Sequence, residues 1–271
     1  MFFDKSIYLS IYLRIRLYRL RLKYIFSDKR ENIKAAFEKM ENVGIWNIPI
    51  FIISFNRLSY VKQMVEWLEQ KGYNNIHIID NNSSYQPLLD FYKTLKHEVI
   101  YMKYNGGHMV FWNDSRFDKY RKSFYVVTDP DICPIQECPD DFITKWFEIL
   151  KNHPYVRKIG FSLKCDDLPF NAIRRQVNEE WEKQFNIVRL DSDNIFFADI
   201  DTTMALYMPD DCCINGNFYR AFRTDIPYQA RHLPWYKTVG DITEEDVFYS
   251  NLNKCGTWDI PKDYLKNDVN G

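Results

Sequence analysis

The sequence predicts an α/β fold in which helices flank a central, mostly parallel β-sheet. Short apolar runs alternate with segments of helical spacing through the first half of the chain. This alternation is typical of βαβ units, whose strands run parallel. The chain has 271 residues, of which 46% are hydrophobic, so it is long enough to bury a sizeable core.

The elements of the first half follow one another regularly. A helix over 31–44 is expected to end at Gly44, because glycine suits a helix C-terminus. The continuous apolar run at 48–54 predicts a strand buried on both faces. The other expected elements are helices at 58–71 and 85–95 and strands at 76–80, 98–102 and 123–128. The residues expected to turn inward from 58–71 are Val61, Met64, Val65 and Leu68.

The second half is patterned less regularly. Its expected strands cover 158–163, 187–190, 195–198 and 204–207, and its expected helices cover 140–152 and 244–253. No internal repeat or low-complexity linker interrupts this part of the sequence. We therefore expect a single domain over 45–271, preceded by a helical extension at 1–44.

Charge and cysteine content argue against two classes of protein. The formal net charge is −1, whereas a general nucleic-acid binder usually carries a basic excess. The six cysteines include no CxxC pair and no Cys/His cluster with zinc spacing. We therefore expect reduced thiols, a cytoplasmic location and no nucleic-acid partner.

The extension mixes apolar and basic residues. Six basic residues and no acidic residue lie between Lys5 and Ser27. These charges interrupt the apolar stretch, so neither a secretory signal nor an ordinary membrane span is expected. Two interpretations stay open. Residues 5–27 bind peripherally to an anionic membrane on its cytoplasmic face, or they form a first helix packed on the domain.

Two carboxylates, Asp129 and Asp131, follow the strand expected at 123–128. The carboxyl ends of parallel strands share one edge of a sheet, where ligands bind. Two carboxylates separated by one residue can hold Mg²⁺ or Mn²⁺ together with a diphosphate. The alternative is a plain turn, which Asp-Pro-Asp favours.

A third acid, Asp80, ends the strand expected at 76–80 and is followed by Asn81. A carboxylate in this position can accept a hydrogen bond from a nucleoside. The same residues are also suited to a turn and a helix N-cap, and both roles are compatible.

Four segments together resemble the nucleotide-binding half of GT-A-fold glycosyltransferases, a Rossmann-like fold, and especially the large family-2-like group. They are IFIISFNR at 50–57, IIDNNS at 78–83, NGG at 105–107 and VVTDPD at 126–131. The resemblance covers roughly 46–135 and implies a nucleotide-binding half at 45–135 and an acceptor-binding half at 136–271.

The resemblance also implies roles for individual residues. Asp80 would contact the uracil or ribose, Asp131 would bind the metal directly, and Asp129 would contact the ribose or a metal-bound water. The remaining residues implied in nucleotide binding are Asn56, Arg57, Asn81, Asn105 and Gly106.

The second half departs from the family pattern, because the Gly-Gly-Phe segment that usually precedes the catalytic acid is missing. Glu245-Asp246 is similar to the family's Glu-Asp helix, with Asn253 to Gly256 resembling its trailing segment. The candidates for a general base are therefore Asp246, Glu245 and Glu244, with Asp246 preferred.

The other candidates of this half surround a possible metal and an acceptor. His232 either completes the metal shell or is structural. Arg231 is placed to reach a diphosphate. Asp199, Asp201 and Trp235 are expected to line the acceptor pocket.

These features predict transfer of a sugar from a nucleoside diphosphate donor, UDP-linked, to a glycan or lipid-linked acceptor, with Mn²⁺ or Mg²⁺ as cofactor. Two alternatives stay open. A nucleotidyltransferase would require a glycine-rich loop after the first strand, and 54–58 contains no glycine. A non-catalytic carbohydrate-binding protein on a degenerate GT-A fold would bind ligand without turnover.

Overall fold

Helices pack on a mixed β-sheet in the computed structural model, which describes residues 5–173, 175–200, 203–209 and 220–252. The strands are β1 Ile50–Ser54, β2 Ile76–Asp80, β3 Glu98–Tyr101, β4 Tyr125–Thr128, β5 Ile132–Pro134, β6 Lys158–Leu163, β7 Arg189–Leu190, β8 Ile195–Phe197, β9 Ala205–Tyr207 and β10 Ala221–His232. The α-helices are α1 Lys5–Ile25, α2 Arg30–Val43, α3 Leu58–Gln70, α4 Gln86–Tyr92, α5 Val110–Asn113, α6 Asp118–Arg121, α7 Phe142–Asn152, α8 Arg175–Lys183 and α9 Glu244–Leu252.

The strand order is β3-β2-β1-β4-β9-β6-β10-β8-β7, with β5 paired to β10. Strands β1 to β4 pair in parallel. Strand β9 runs antiparallel to both β4 and β6, so β6 has the direction of β4, and β10 is parallel to β6. The predicted α/β class is confirmed. The sheet is mixed, however, because β5, β7, β8 and β9 pair antiparallel with their neighbours.

The first-half strands are buried on both faces, as their apolar runs predict. In β1, Ile50 and Ile52 belong to one hydrophobic cluster, and Phe51 and Ile53 belong to the cluster on the opposite face. This division follows from the alternation of side chains along a strand. Helix α3 covers the first face, and its four predicted inward residues are all buried.

Strands β5 and β10, like helices α5, α6 and α8, were not predicted from the sequence. Strand β10 pairs with β6 through a bulge between Thr224 and Gln229. The short strand β5 pairs with the end of β10, so that His232 lies opposite Ile132. Both strands carry polar residues or prolines, so their sequences show no apolar run.

Helix α1 packs against the rest of the protein through one face. Leu17 lies in the main core cluster, and the Arg21 Nε donates to the Tyr155 hydroxyl at 3.0 Å. Arg16 lies 3.7 Å from the Asp199 carboxylate. These contacts are those that the packed-helix interpretation predicts. None of the helices in the described ranges is both long and apolar enough to cross a bilayer.

Candidate functional site

The carboxyl ends of β1, β2 and β4 meet the end of β10 at one edge of the sheet. Asn56 and Arg57 follow β1, and Asp80 is the last residue of β2. Asp131 lies between β4 and β5, where its backbone carbonyl accepts a hydrogen bond from the Leu233 amide at 2.9 Å. Residues distant in sequence thereby converge at the edge where the sequence predicts ligand binding.

The turn after β1 is organised by Asn56. Its φ of 53° lies in the left-handed region, which asparagine tolerates better than most residues. Its Oδ1 accepts from the amides of Ser84 and Tyr85 at 2.7 and 2.9 Å. Its buried Nδ2 donates no hydrogen bond to any residue of the described chain. The side chain thus ties the loop after β1 to the loop after β2 and retains one unused donor.

The loop after β2 is held from within. Asp80 is buried, and its Oδ2 accepts from the Ser83 amide at 3.1 Å. The Tyr92 hydroxyl donates to Oδ1 at 3.3 Å. Burial raises the pKa of Tyr92, and the charge of Asp80 raises it further. These hydrogen bonds agree with the turn that the sequence predicts at Asp80. Each carboxylate oxygen of Asp80 also keeps a lone pair that can accept from another donor.

Asn81 fastens the glycine turn of 105–107 beside this loop. Its Nδ2 donates to the Gly107 carbonyl at 3.0 Å, and its Oδ1 accepts from the Gly106 amide at 3.2 Å. Gly107 has a φ of 68°, which glycine adopts without steric cost. Asn105 is exposed and accepts from the Gly107 amide at 2.9 Å. These predicted residues therefore shape the rim of the site.

Asp131 and His232 form an incompletely paired couple. His232 Nε2 lies 3.4 Å from Asp131 Oδ2. Asp131 Oδ1 and His232 Nδ1 are buried and have no hydrogen-bond partner within the described ranges. Burial would raise the pKa of Asp131, but His232 and Arg57 together outweigh it and hold that pKa below its usual value. The carboxylate is therefore ionised and retains unused coordination capacity.

This couple fits one divalent cation chemically. Carboxylate oxygen and imidazole nitrogen are both accepted by Mn²⁺. Two donors bound at right angles to one ion, each at about 2.1 Å, lie about 3 Å apart. The observed 3.4 Å is close to that separation. Groups of three or more His, Cys, Asp or Glu side chains placed to hold a metal do not occur among the described residues. A cation here would therefore need further ligands from diphosphate or water.

Asp129 lies two residues before this couple, directly after β4. It is half-buried, and its carbonyl accepts from the Thr128 hydroxyl at 2.8 Å. His232, at the end of β10, lies next to Asp131 of the predicted Asp-x-Asp pair although it is distant from it in sequence. The pairing of β5 with β10 places it there.

Arg57 and Asp246 form a buried ion pair next to Asp131. The Arg57 Nη1 donates to Asp246 Oδ1 at 2.6 Å, and both side chains are almost fully buried. Asp246 Oδ2 accepts from Lys237 and from the amide and hydroxyl of Thr243. Burial opposes ionisation, but Lys237, Arg57 and Thr243 together hold the pKa of Asp246 below its usual value. A carboxylate so fully engaged is a weak proton acceptor.

The other two predicted bases have different surroundings. Glu245 is buried and accepts from the Ser59 amide at 3.0 Å and from its hydroxyl at 2.5 Å. It therefore satisfies a free amide at the start of α3, where negative charge is favoured. Glu244 is exposed at the first position of α9. The geometry thus gives Glu245 a structural role.

Two residues that sequence reasoning missed interact with the acids of the site. Tyr60 is buried, and its hydroxyl has no hydrogen-bond partner in the described chain. Burial raises the pKa of Tyr60, as do the charges of Asp131 and Asp246. Lys237 donates to Asp246. Tyr60 lies one helical turn after Arg57, a spacing that could have identified it, but nothing in the sequence indicates Lys237.

Two predicted residues are engaged elsewhere. Arg231 binds Asp167 through its Nε at 3.1 Å, so its guanidinium is not free for a diphosphate. Trp235 is buried, with its ring centroid 4.9 Å from that of His232, and so supports the histidine instead of lining an open pocket.

Asp199 follows β8, at the end of β10 opposite to His232, because Phe197 pairs with Phe222. Its carboxylate faces Arg16. The structure therefore does not bring it to the candidate site. Asp201, the carboxylate expected to line the acceptor pocket together with Asp199, and the segment 253–256 lie outside the described residues.

The candidate site thus combines an ionised, partly unpaired Asp131–His232 couple with a buried Arg57–Asp246–Lys237 cluster. Asp80, Asn56 and Asn81 form its rim. In comparisons with known proteins, no family model matches the chain and no curated protein matches it significantly.

Proposed function

We propose that this protein is a metal-dependent glycosyltransferase that moves a sugar from a nucleoside diphosphate donor, UDP-linked, to a glycan or lipid-linked acceptor. The observation that carries the proposal is the buried Oδ1 of Asp131, which has no hydrogen-bond partner within the described ranges. An ionised oxygen left unpaired inside a protein is costly unless a ligand completes it.

Asp131 and His232 would hold the divalent cation. When bound, that cation neutralises the charge that develops on the leaving diphosphate. Arg57 and Lys237 add positive charge beside the same edge of the sheet. The Arg57 Nη1 lies 2.6 Å from Asp246 Oδ1. Arginine and lysine next to a transferring phosphate group are a common means of stabilising such charge.

The nucleoside would bind along the rim. The free lone pairs of Asp80 accept from ribose hydroxyls or a base amide, and the unused Nδ2 of Asn56 donates to a base carbonyl. Rigid support from Asn81 and Tyr92 keeps these groups in place. Such prior ordering lowers the entropic cost of ligand binding.

In this proposal Asp246 is a positioning residue and not the general base that the family resemblance implies. Its oxygens are occupied by Arg57, Lys237 and Thr243. It therefore holds two cations, one of which acts on Asp131, and would have to release them before accepting a proton. Its replacement should weaken donor binding, whereas loss of a general base would leave donor binding intact.

Calorimetric titration of UDP, with Mn²⁺ and with chelator, tests the proposal. We expect UDP to bind at least about tenfold more tightly with Mn²⁺, because the cation offsets repulsion between diphosphate and Asp131. Asp131→Asn and His232→Ala should each remove most of this gain. Glu244→Gln, at an exposed position, is the matched control and should behave like the wild type.

Equal UDP affinity with and without chelator would remove the metal site from the proposal. If Mn²⁺ strengthens binding in the wild type but equally in Asp131→Asn, the cation binds elsewhere.

A second function is favoured by one observation. Of the three predicted bases, Asp246 and Glu245 are fully engaged in structural contacts. A protein that binds a nucleotide-sugar or carbohydrate without turnover requires no free base. A panel of nucleotide-sugars, assayed for release of nucleoside diphosphate with and without saccharide acceptors, separates the two. Tight Mn²⁺-dependent binding without any release would favour the binding protein.

A further inference from the structure

Helix α1 has two apolar faces, and only one of them is covered. The inner face contributes Leu17 to the core cluster, with Leu13, Leu20 and Tyr24 packed beside it. On the other side of the helix, an outer stripe is exposed. It consists of Ile7, Ile11, Ile15, Tyr18 and Ile25, whose exposed fractions lie between 48% and 61%.

The outer stripe is continuous along the helix. Its members are separated by three, four or seven residues, so at about 100° per residue they fall on one side of the helix. Phe26, just beyond the helix, is 82% exposed. An apolar surface of this length on a folded chain is typical of a binding surface for a membrane or another protein.

Basic residues border the outer stripe on both sides. Arg14 lies along one border, and Arg19 and Lys23 lie along the other, within about 120° of its centre. All three are exposed, and none forms an ion pair or hydrogen bond with the described part of the chain. Helix α1 contains no acidic residue. The stripe therefore faces outward between basic residues that no acid of the described ranges pairs.

This charge pattern distinguishes between two binding partners for the outer stripe, a second copy of α1 and an anionic membrane. In a symmetric pair of α1 helices, the same basic borders would face each other with no acid to offset them, which disfavours self-association. An anionic bilayer surface attracts the borders and accepts the apolar stripe at the boundary between headgroups and acyl chains. Long basic side chains reach the headgroups while their stems remain in apolar surroundings.

We propose that α1 is an interfacial membrane-binding helix, with its outer stripe inserted into an anionic bilayer and Arg14, Arg19 and Lys23 bound to the headgroups. The inner face keeps the helix fixed to the domain through Leu17 and Arg21. Arg16 and Arg21 contact Asp199 and Tyr155, near the amino ends of β6 and β10. Lipid binding on the outer stripe therefore leaves the carboxyl edge of the sheet, with Asp131 and His232, uncovered.

Co-sedimentation of the full-length chain with phosphatidylcholine vesicles, with and without phosphatidylserine, tests this inference. We expect binding only when phosphatidylserine is present, and weaker binding as salt is raised. The triple variant Arg14→Gln, Arg19→Gln, Lys23→Gln should lower the partition coefficient about 100-fold, because each basic residue near the surface contributes about fivefold.

A matched triple variant controls for net charge. Lys62→Gln, Lys93→Gln and Lys96→Gln remove the same charge from exposed positions far along the chain from α1. This variant should bind within about twofold of the wild type, because none of the three lysines belongs to α1 or borders its outer stripe.

The apolar contribution is tested without changing charge. Ile11→Gln with Ile15→Gln should lower vesicle binding about tenfold or more, because two side chains lose their apolar contact with lipid. Since both positions are exposed, thermal unfolding should be unchanged.

Two outcomes would overturn the inference. One is binding that is equal for neutral and anionic vesicles or is unaffected by the basic triple variant. The other is a self-associated protein in sedimentation equilibrium that dissociates in the Ile11/Ile15 variant while vesicles are not bound. UDP affinity with Mn²⁺, measured in the presence of vesicles, should not change. The vesicle-binding test is therefore independent of the proposed activity.

Discussion

Asp131, which is half-buried, and Asp246, which is buried, are two carboxylates under the influence of the same guanidinium, that of Arg57. They differ in how completely they are paired. Asp246 accepts from Arg57, Lys237 and Thr243. Asp131 has only His232 beside Oδ2, and its Oδ1 is unpaired among the described residues. The difference shows that burial alone does not leave a carboxylate oxygen available to a ligand, and the proposed role of Asp131 rests on its unused oxygen.

Removing each charge should lower stability by very different amounts, and this is the largest effect we predict. Asp246→Asn leaves Arg57 and Lys237 buried without their counter-charge and should lower the free energy of unfolding by about 3–5 kcal/mol. Asp131→Asn, measured with chelator, should cost about 1 kcal/mol or less, because little pairing is lost. Urea denaturation of both variants measures the contrast. Equal losses in the free energy of unfolding would contradict the difference in pairing between Asp246 and Asp131.

Acid titration tests the ion pair of Asp246 separately. The pKa of Asp246 is below its ordinary value of 3.8 in the folded state, so the ion pair stabilises the fold above that pH. This stability is lost as the pH falls from 3.8 through the lowered folded-state pKa. In Asp246→Asn, stability should fall less steeply there, by up to about 1.4 kcal/mol per pH unit. Denaturant midpoints across this range provide the measurement, and parallel curves would contradict the ion-pair assignment.

The smallest predicted effect compares the two glutamates that precede Asp246. Glu245→Ala removes the acceptor of the Ser59 amide at the start of α3 and should cost about 1 kcal/mol, as loss of a helix cap does. Glu244→Ala, at an exposed position of the same helix, should change stability by less than about 0.5 kcal/mol. Thermal unfolding resolves the two. A larger loss for Glu244→Ala would mean that α9 is held in another way.

The first half of the fold was readable from the sequence because its strands are apolar without interruption. Strand β2 has the predicted bounds, and α3 differs from its prediction only at the last residue. Strands buried on both faces cannot tolerate polar residues, so their sequences mark them clearly. Fewer elements of the second half, where the sheet is mixed, could be predicted from the sequence. Strand β6 was predicted, but β10 contains Arg223, Asp225 and Pro227 and has no apolar run.

Part of the candidate site was predicted, because some of its residues follow strands that the local sequence marks. Asn56, Asp80 and Asp131 each follow a clearly marked strand, so their positions at the sheet edge could be inferred. The partners of Asp131 and Asp246 could not be inferred in the same way. Lys237 and Arg57 are distant in sequence from one another, and they meet only because α9 packs beside the start of α3.

By itself, then, the sequence determined the α/β class, the order of the first strands and the identity of the polar residues at their ends, because these depend on local patterns of burial. Tertiary structure alone decided which carboxylate is fully paired and which is not. It also decided that Arg231 binds Asp167 and that one face of α1 is covered while the other is exposed. Pairing and exposure depend on contacts between distant segments, and no local pattern encodes them.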